Sequence, residues 1–129
     1  KKSKLIEAIM ESHNNLKKII KIVHPLVKLK MNNFVRKNKS KKFVVLDIPL
    51  LMENKINRKN DVLIFIDSRK KEINKRLKQR YKRNFGVVKI FKKFQLPIEF
   101  KKKKADFIIK NNFKNKNVKK SVKKILEFF

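Results

Sequence analysis

Apolar residues recur along the first third of the chain at the spacing of one helical face. Leu16, Ile19, Ile20 and Val23 fall at i, i+3, i+4 and i+7, which predicts an α-helix from Asn15. The residue before a proline is disfavoured in the α region, so this helix should pause at His24. Pro25 then opens a new helix through Val27, Met31, Phe34 and Val35. The polar run RKNKSKK, 36–42, reads as a solvated turn. The pattern then changes. Residues 43–48, 62–66 and 107–109 are short, β-branched-rich runs without polar alternation, as expected for parallel strands covered by helices on both faces. Between the second and third runs, Asp67 or Ser68 can cap a helix with Ile73, Leu77 and Tyr81 on one side, and Gly86 should break it. Residues 87–94 and 98–104 read as shorter, very basic helical pieces around Pro97. Val118, Val122, Ile125, Leu126 and Phe129 mark a closing amphipathic helix. Alternating strands and helices of these lengths predict an α/β domain with right-handed crossovers and a mostly parallel sheet.

Charge changes the picture only in part. The formal net charge of +29 would ordinarily point to nucleic acid or an anionic membrane. The positive charge is almost all lysine, however, and it accompanies abundant Asn and Ile, a composition that A/T-rich codons alone favour. The lysines are spread over all the helices, and only Phe91 and Phe94 interleave with the basic runs, so a specific nucleic-acid partner is not expected. Cysteine is absent, which removes disulfides and thiolate metal sites. His13 and His24 are too far apart for an HExxH zinc pair. No apolar run approaches the ~18 residues of a membrane span, and no signal peptide is visible. At 129 residues the chain is one domain's worth or less. It opens KKSKLIEAIM, inside what reads as helix, which raises the expectation of further sequence upstream.

Several residues could carry chemistry. Asp47 ends the first apolar run ahead of Pro49, and in open parallel sheets ligands collect beyond the carboxyl ends of the strands. A carboxylate there can orient a Mg²⁺-bound water beside a phosphate, or simply cap the following turn, with Leu50 and Leu51 as ordinary core. Arg76 and Arg80 stand at i and i+4, one residue off the apolar stripe, where guanidinium forks could clamp phosphoryl oxygens or merely form a solvated basic face. His24 could touch a substrate or cap the helix that Pro25 starts. Gln95 and the run KKKKADFIIKNN, 101–112, could form a mobile basic flap, a strand and a polar loop. A phosphate-binding GxxxxGK[ST] loop needs two glycines, and this sequence has one, Gly86.

Taken in order, LKKIIKIVHPLV (16–27), FVVLDIPLLMEN (43–54), RLKQR (76–80) and QLPIEFKKKKADFIIKNN (95–112) resemble the C-terminal two thirds of the dephospho-CoA kinases. The matching features are a helix ending in His-Pro-x-Val, a strand followed by Asp-x-Pro-Leu-Leu-x-Glu, paired lid arginines, and a Gln-x-Pro, Ala-Asp and Asn signature. The resemblance implies a P-loop kinase-like, adenylate-kinase-like three-layer fold with a mostly parallel sheet, truncated at its N-terminal side so that the phosphate-binding loop is missing. Residues 1–42 would form the acceptor-binding helices, 43–68 the core strands, 69–104 the basic helix and lid, and 105–129 the last strand and closing helix. It implies a cytoplasmic, ATP- and Mg²⁺-dependent transfer to the ribose 3′-hydroxyl of dephospho-CoA. In that reaction Arg76 and Arg80 would meet ATP phosphates, Asp47 the metal or acceptor ribose, Asn111 the adenine, and His24, Leu50 and Glu53 the acceptor. Two departures are visible: Tyr81 and Lys82 follow Arg80 where the family often has an acidic residue, and Phe113 stands where glycine is common. Without the phosphate-binding loop the 129 residues alone are expected to be inactive and marginally folded. A basic nucleic-acid-binding protein or a non-catalytic kinase remnant are the competing readings.

Overall fold

The computed structural model describes residues 2–81 and 85–129. The expected lid positions Lys82 and Arg83 lie outside the described residues. Helix α1 (Lys2–Glu11) is separated from α2 (His13–Lys37) by Ser12, whose extended backbone (φ −150°) stops the first helix and whose hydroxyl oxygen accepts the Asn14 N–H at 3.2 Å. The Asn15 side-chain amide donates back to the Ala8 carbonyl at 2.9 Å and fixes the angle between the two.

Helix α2 corrects the pause expected at His24, for it runs unbroken through Pro25. The reason is phase. Val23, Val27 and Met31 continue the stripe of Leu16, Ile19 and Ile20 at four-residue steps, so breaking the helix at Pro25 would take that stripe out of register. The proline removes one backbone donor, and both Pro25 and Lys21, whose carbonyl loses its partner, are exposed to water.

Strand β1 (Ile64–Ser68) pairs in parallel with β2 (Phe107–Asn111), with Ile64 opposite Phe107 and Ser68 opposite Asn111. The connection carries α3 (Lys70–Arg80), α4 (Phe85–Lys93) and α5 (Ile98–Lys104), and α6 (Asn115–Glu127) follows β2. Helix α6 packs on β2, where Ile109 is buried and the Phe107 ring meets Phe128 and Phe129 edge-on at 5.4 and 6.1 Å. From α5, Lys102 reaches Asp67 at 3.2 Å and lies 5.9 Å from the Phe65 ring centroid; Phe65 and Asp67 alternate with Ile64 and Ile66 along β1 and so share its other face. This is a mixed α/β arrangement with a two-stranded parallel sheet between helices.

The start of the pair is pinned by Asp106, whose carboxylate accepts the Leu63 N–H at 2.7 Å while its own N–H donates to the Leu63 carbonyl at 2.8 Å. A charge-assisted bond at an exposed position stabilises by about 1 kcal/mol. Asp106→Ala is therefore expected to lower unfolding free energy by about that amount in urea titration, and Asp106→Asn, which keeps an acceptor, by less.

Three further expectations change. Residues 43–48 form no ladder among the described residues. Val44, Leu46 and Ile48 are half-buried while Phe43, Val45 and Asp47 are exposed, so the run is covered on one face only, and the Phe43 ring packs on Phe129 at 6.1 Å. An apolar run reports burial potential but not a hydrogen-bonding neighbour. Neither Asp67 nor Ser68 caps α3. Both belong to β1, Asp67 is paired with Lys102, and Arg69 occupies the cap position without a side-chain bond. Gly86 does not end a helix but lies in the first turn of α4, where α1 and α4 pack together and a Cβ would stand 2.9 Å from the Met10 Cε, the movable end of a flexible side chain. That contact builds the main core, in which Ile9, Leu16, Val87, Val88 and Ile90 are buried and Ile19, Ile20, Leu77 and Phe94 pack around them.

Candidate nucleotide and acceptor sites

The parallel register brings Ser68 and Asn111, the last residues of β1 and β2, side by side. In α/β proteins this end gathers ligands because loops and helix N-termini converge on it. Here the converging parts are the first turns of α3 and the loop after β2. The loop is shaped by its own asparagines: the Asn111 Oδ1 accepts the Phe113 N–H at 2.8 Å and the Asn112 Oδ1 accepts the Lys114 N–H at 3.0 Å. Phe113 is thereby held at φ 62°, in the left-handed region that bulky side chains avoid.

A cavity of about 270 Å³ lies between these parts, lined by Arg69, Glu72, Asn112, Phe113 and Lys114. Residues 69, 72, 76 and 80 follow at three- and four-residue steps, so Arg69, Glu72, Arg76 and Arg80 share one face of α3. The Arg76 guanidinium carbon stands 4.0 Å from the centroid of the Phe113 ring, and that of Arg80 stands 5.6 Å from the Tyr81 ring. The cavity wall therefore carries two cations, Arg69 and Lys114, one carboxylate, Glu72, and an aromatic ring on which Arg76 stacks, an arrangement suited to an anion carrying a planar group.

A second cavity, of about 290 Å³, is lined by Lys17, Ile20 and Lys21 of α2, by Leu50, Glu53 and Asn54, and by Phe94. Its floor is a compact turn. Leu50 and Lys55 have φ values of 57° and 51°, the Leu50 carbonyl accepts from both the backbone N–H and the side-chain amide of Asn54 at 3.1 and 2.8 Å, and Ile56 is buried beneath. Glu53 ties this turn to the segment around α5 by accepting the Leu96 N–H at 3.0 Å and pairing with Lys101. Burial pushes the Glu53 carboxyl up, but the Lys101 ammonium and the backbone N–H groups of Glu53 and Leu96 outweigh it and hold the group below its usual range.

The sequence-predicted residues thus divide. Arg76 and the turn made by Asn111 meet at the first cavity, while Leu50 and Glu53 line the second. His24 is half-buried one turn beyond Ile20 on α2 and is not part of the second wall; Asp47 is exposed and lines neither cavity. The basic run is no loose flap, since it forms α5 and two of its lysines are paired, Lys101 with Glu53 and Lys102 with Asp67. Sequence reading did not single out Arg69, Glu72 or Lys101. The helical spacing of Arg69 and Glu72 with Arg76 was a usable signal; nothing local marks Lys101.

The family model for dephospho-CoA kinase matches residues 1–117. Among curated relatives, the dephospho-CoA kinase of Bartonella quintana is 32% identical over 126 residues, covering 96% of this chain and 65% of the relative. That of Fusobacterium nucleatum is 32% identical over 127 residues, covering 98% and 65%, and that of Lactobacillus acidophilus 31% identical over 113 residues, covering 85% and 56%. The chain spans about 65% of the length of the first two relatives. A match over nearly the whole chain, in a protein whose parallel strand ends carry the arginine-lined cleft just described, means that the chain belongs to the dephospho-CoA kinase family.

Proposed function

We propose that the protein to which this sequence belongs is a cytoplasmic dephospho-CoA kinase, which transfers the γ-phosphoryl group of ATP to the ribose 3′-hydroxyl of dephospho-CoA, forming CoA and ADP. The observation that carries the reading is the family match across residues 1–117. The cation-lined cleft at the strand ends supports it, because phosphoryl transfer asks the protein chiefly for positioning and for neutralisation of charge on the oxygens in flight.

In this reading Arg76 and Arg80 project from one face of α3 toward the ATP phosphates, and their planar donors suit phosphate oxygens better than a lysine ammonium does. Asn111 shapes the loop beside the adenine. Leu50 and Glu53 form the acceptor wall, with Lys17 and Lys21 supplying positive charge to the acceptor's own phosphates and His24 flanking it. Mg²⁺ would neutralise the β- and γ-phosphates. Among the described residues there is no group of three or more metal-ligating side chains. Mg²⁺ in phosphoryl transfer takes most of its ligands from water and phosphate and one or two from carboxylates. Asp47, exposed and acidic, is the residue that would hold it or lie beside the acceptor ribose.

The test is to express the gene that carries this sequence, purify its product, and incubate it with ATP, Mg²⁺ and dephospho-CoA. CoA and ADP are expected to appear one for one by chromatography. A folded product that leaves dephospho-CoA unchanged overturns the reading.

A further inference from the structure

We propose that Phe113 is a positioning residue for Arg76: its ring holds the guanidinium beside the cleft beyond β1 and β2, at a backbone position that a bulky side chain ordinarily avoids. The inference rests on the functional reading above for what Arg76 then does, but the contact itself does not.

Phe113 occupies a position at φ 62° where glycine would meet no steric cost and asparagine little. The turn is already secured from both sides by Asn111 and Asn112, so a phenylalanine adds nothing to its hydrogen bonding. What it adds is a planar face. The Arg76 guanidinium carbon lies 4.0 Å from the ring centroid, well inside cation–π range, although the arginine side chain is otherwise exposed and joined to no other element by an ion pair among the described residues. An exposed arginine samples many rotamers, and ordering it on a ring before substrate arrives lowers the entropic cost of using it. The same ring lines the cavity, so the residue that Arg76 stacks on is itself part of the cleft wall.

The experiment uses the full product of the gene with Phe113→Leu and Phe113→Tyr. Leucine keeps bulk without a π face; tyrosine keeps the face. Phe113→Leu is expected to lower kcat about tenfold with the KM for dephospho-CoA unchanged, and Phe113→Tyr to stay within about twofold of the parent. In an Arg76→Ala background, Phe113→Leu should cause no further loss, because a residue acting through Arg76 has nothing left to act on. A wild-type kcat in Phe113→Leu, or an equal loss with and without Arg76, overturns the proposal. One readout is independent of the reaction. The Arg76 Nε–H resonance should carry a ring-current shift that Phe113→Leu abolishes and Phe113→Tyr retains. If the parent is inactive but carries the shift and Phe113→Leu abolishes it, the proposed activity is sunk and the positioning contact stands; a resonance that Phe113→Leu does not move sinks the contact itself.

Discussion

Arg76→Ala is expected to reduce dephospho-CoA phosphorylation by about 10³-fold in kcat, the scale on which an arginine facing a transferring phosphoryl group acts. The loss should appear without unfolding. Arg76 is exposed on α3, and its contact with Phe113 is one cation–π pair, which contributes about 0.5–1 kcal/mol at such a site. Arg76→Lys should recover little, because an ammonium cannot present two parallel donors or a stacking plane. Arg80→Ala, one turn further along the same face and associated with its own neighbour Tyr81, should cost less. Steady-state kinetics together with a denaturation curve separate the two kinds of damage. Near-normal turnover in a folded Arg76→Ala protein would remove this arginine from the mechanism.

What was legible in the sequence was whatever repeats locally. The closing helix followed from Val118, Val122 and Ile125, the split between α4 and α5 from Pro97, and the two paired strands from uninterrupted apolar runs, the first displaced by two residues and the second extended by two at its end. Pro25 misled because a rule about one residue was set against a stripe several turns long, and the stripe, with its lost hydrogen bond facing water, prevailed. Residues 43–48 misled for another reason: the run carries apolar character, but pairing requires a neighbour that no local pattern names. The site followed the same division. Arg76 and Arg80 were visible as a spacing, whereas the ring that holds Arg76 comes from the far side of the parallel pair. Glu53 was reached by resemblance to a family segment, and its role as a tie to Leu96, 43 positions later, could be seen only in three dimensions.

That tie makes Glu53 the position where stability should be most sensitive to a single substitution outside the apolar core. Its side chain is 9% exposed and that of Lys101 is 21% exposed. Removing the carboxylate leaves an ammonium and the Leu96 N–H poorly solvated, so Glu53→Ala is expected to cost about 2–3 kcal/mol, below the full value for a wholly buried pair because Lys101 retains some water. Glu53→Gln keeps an acceptor for Leu96 and loses the charge, so about 1 kcal/mol is expected. The pH dependence follows from the depressed carboxyl. Its folded pKa lies below the unfolded value, so the unfolded chain binds the proton more readily on acidification. The stabilisation is complete above the ordinary glutamate pKa of about 4.3 and is lost as pH falls through the lower, folded value. Urea unfolding of parent and Glu53→Gln across that range should give curves that converge in acid, since the parent's advantage disappears once its own carboxylate is protonated. A difference that stays constant down to the most acidic point would mean that the charge on Glu53 contributes nothing, and that the turn from Leu50 to Ile56 is held by its backbone bonds and by the burial of Ile56 alone.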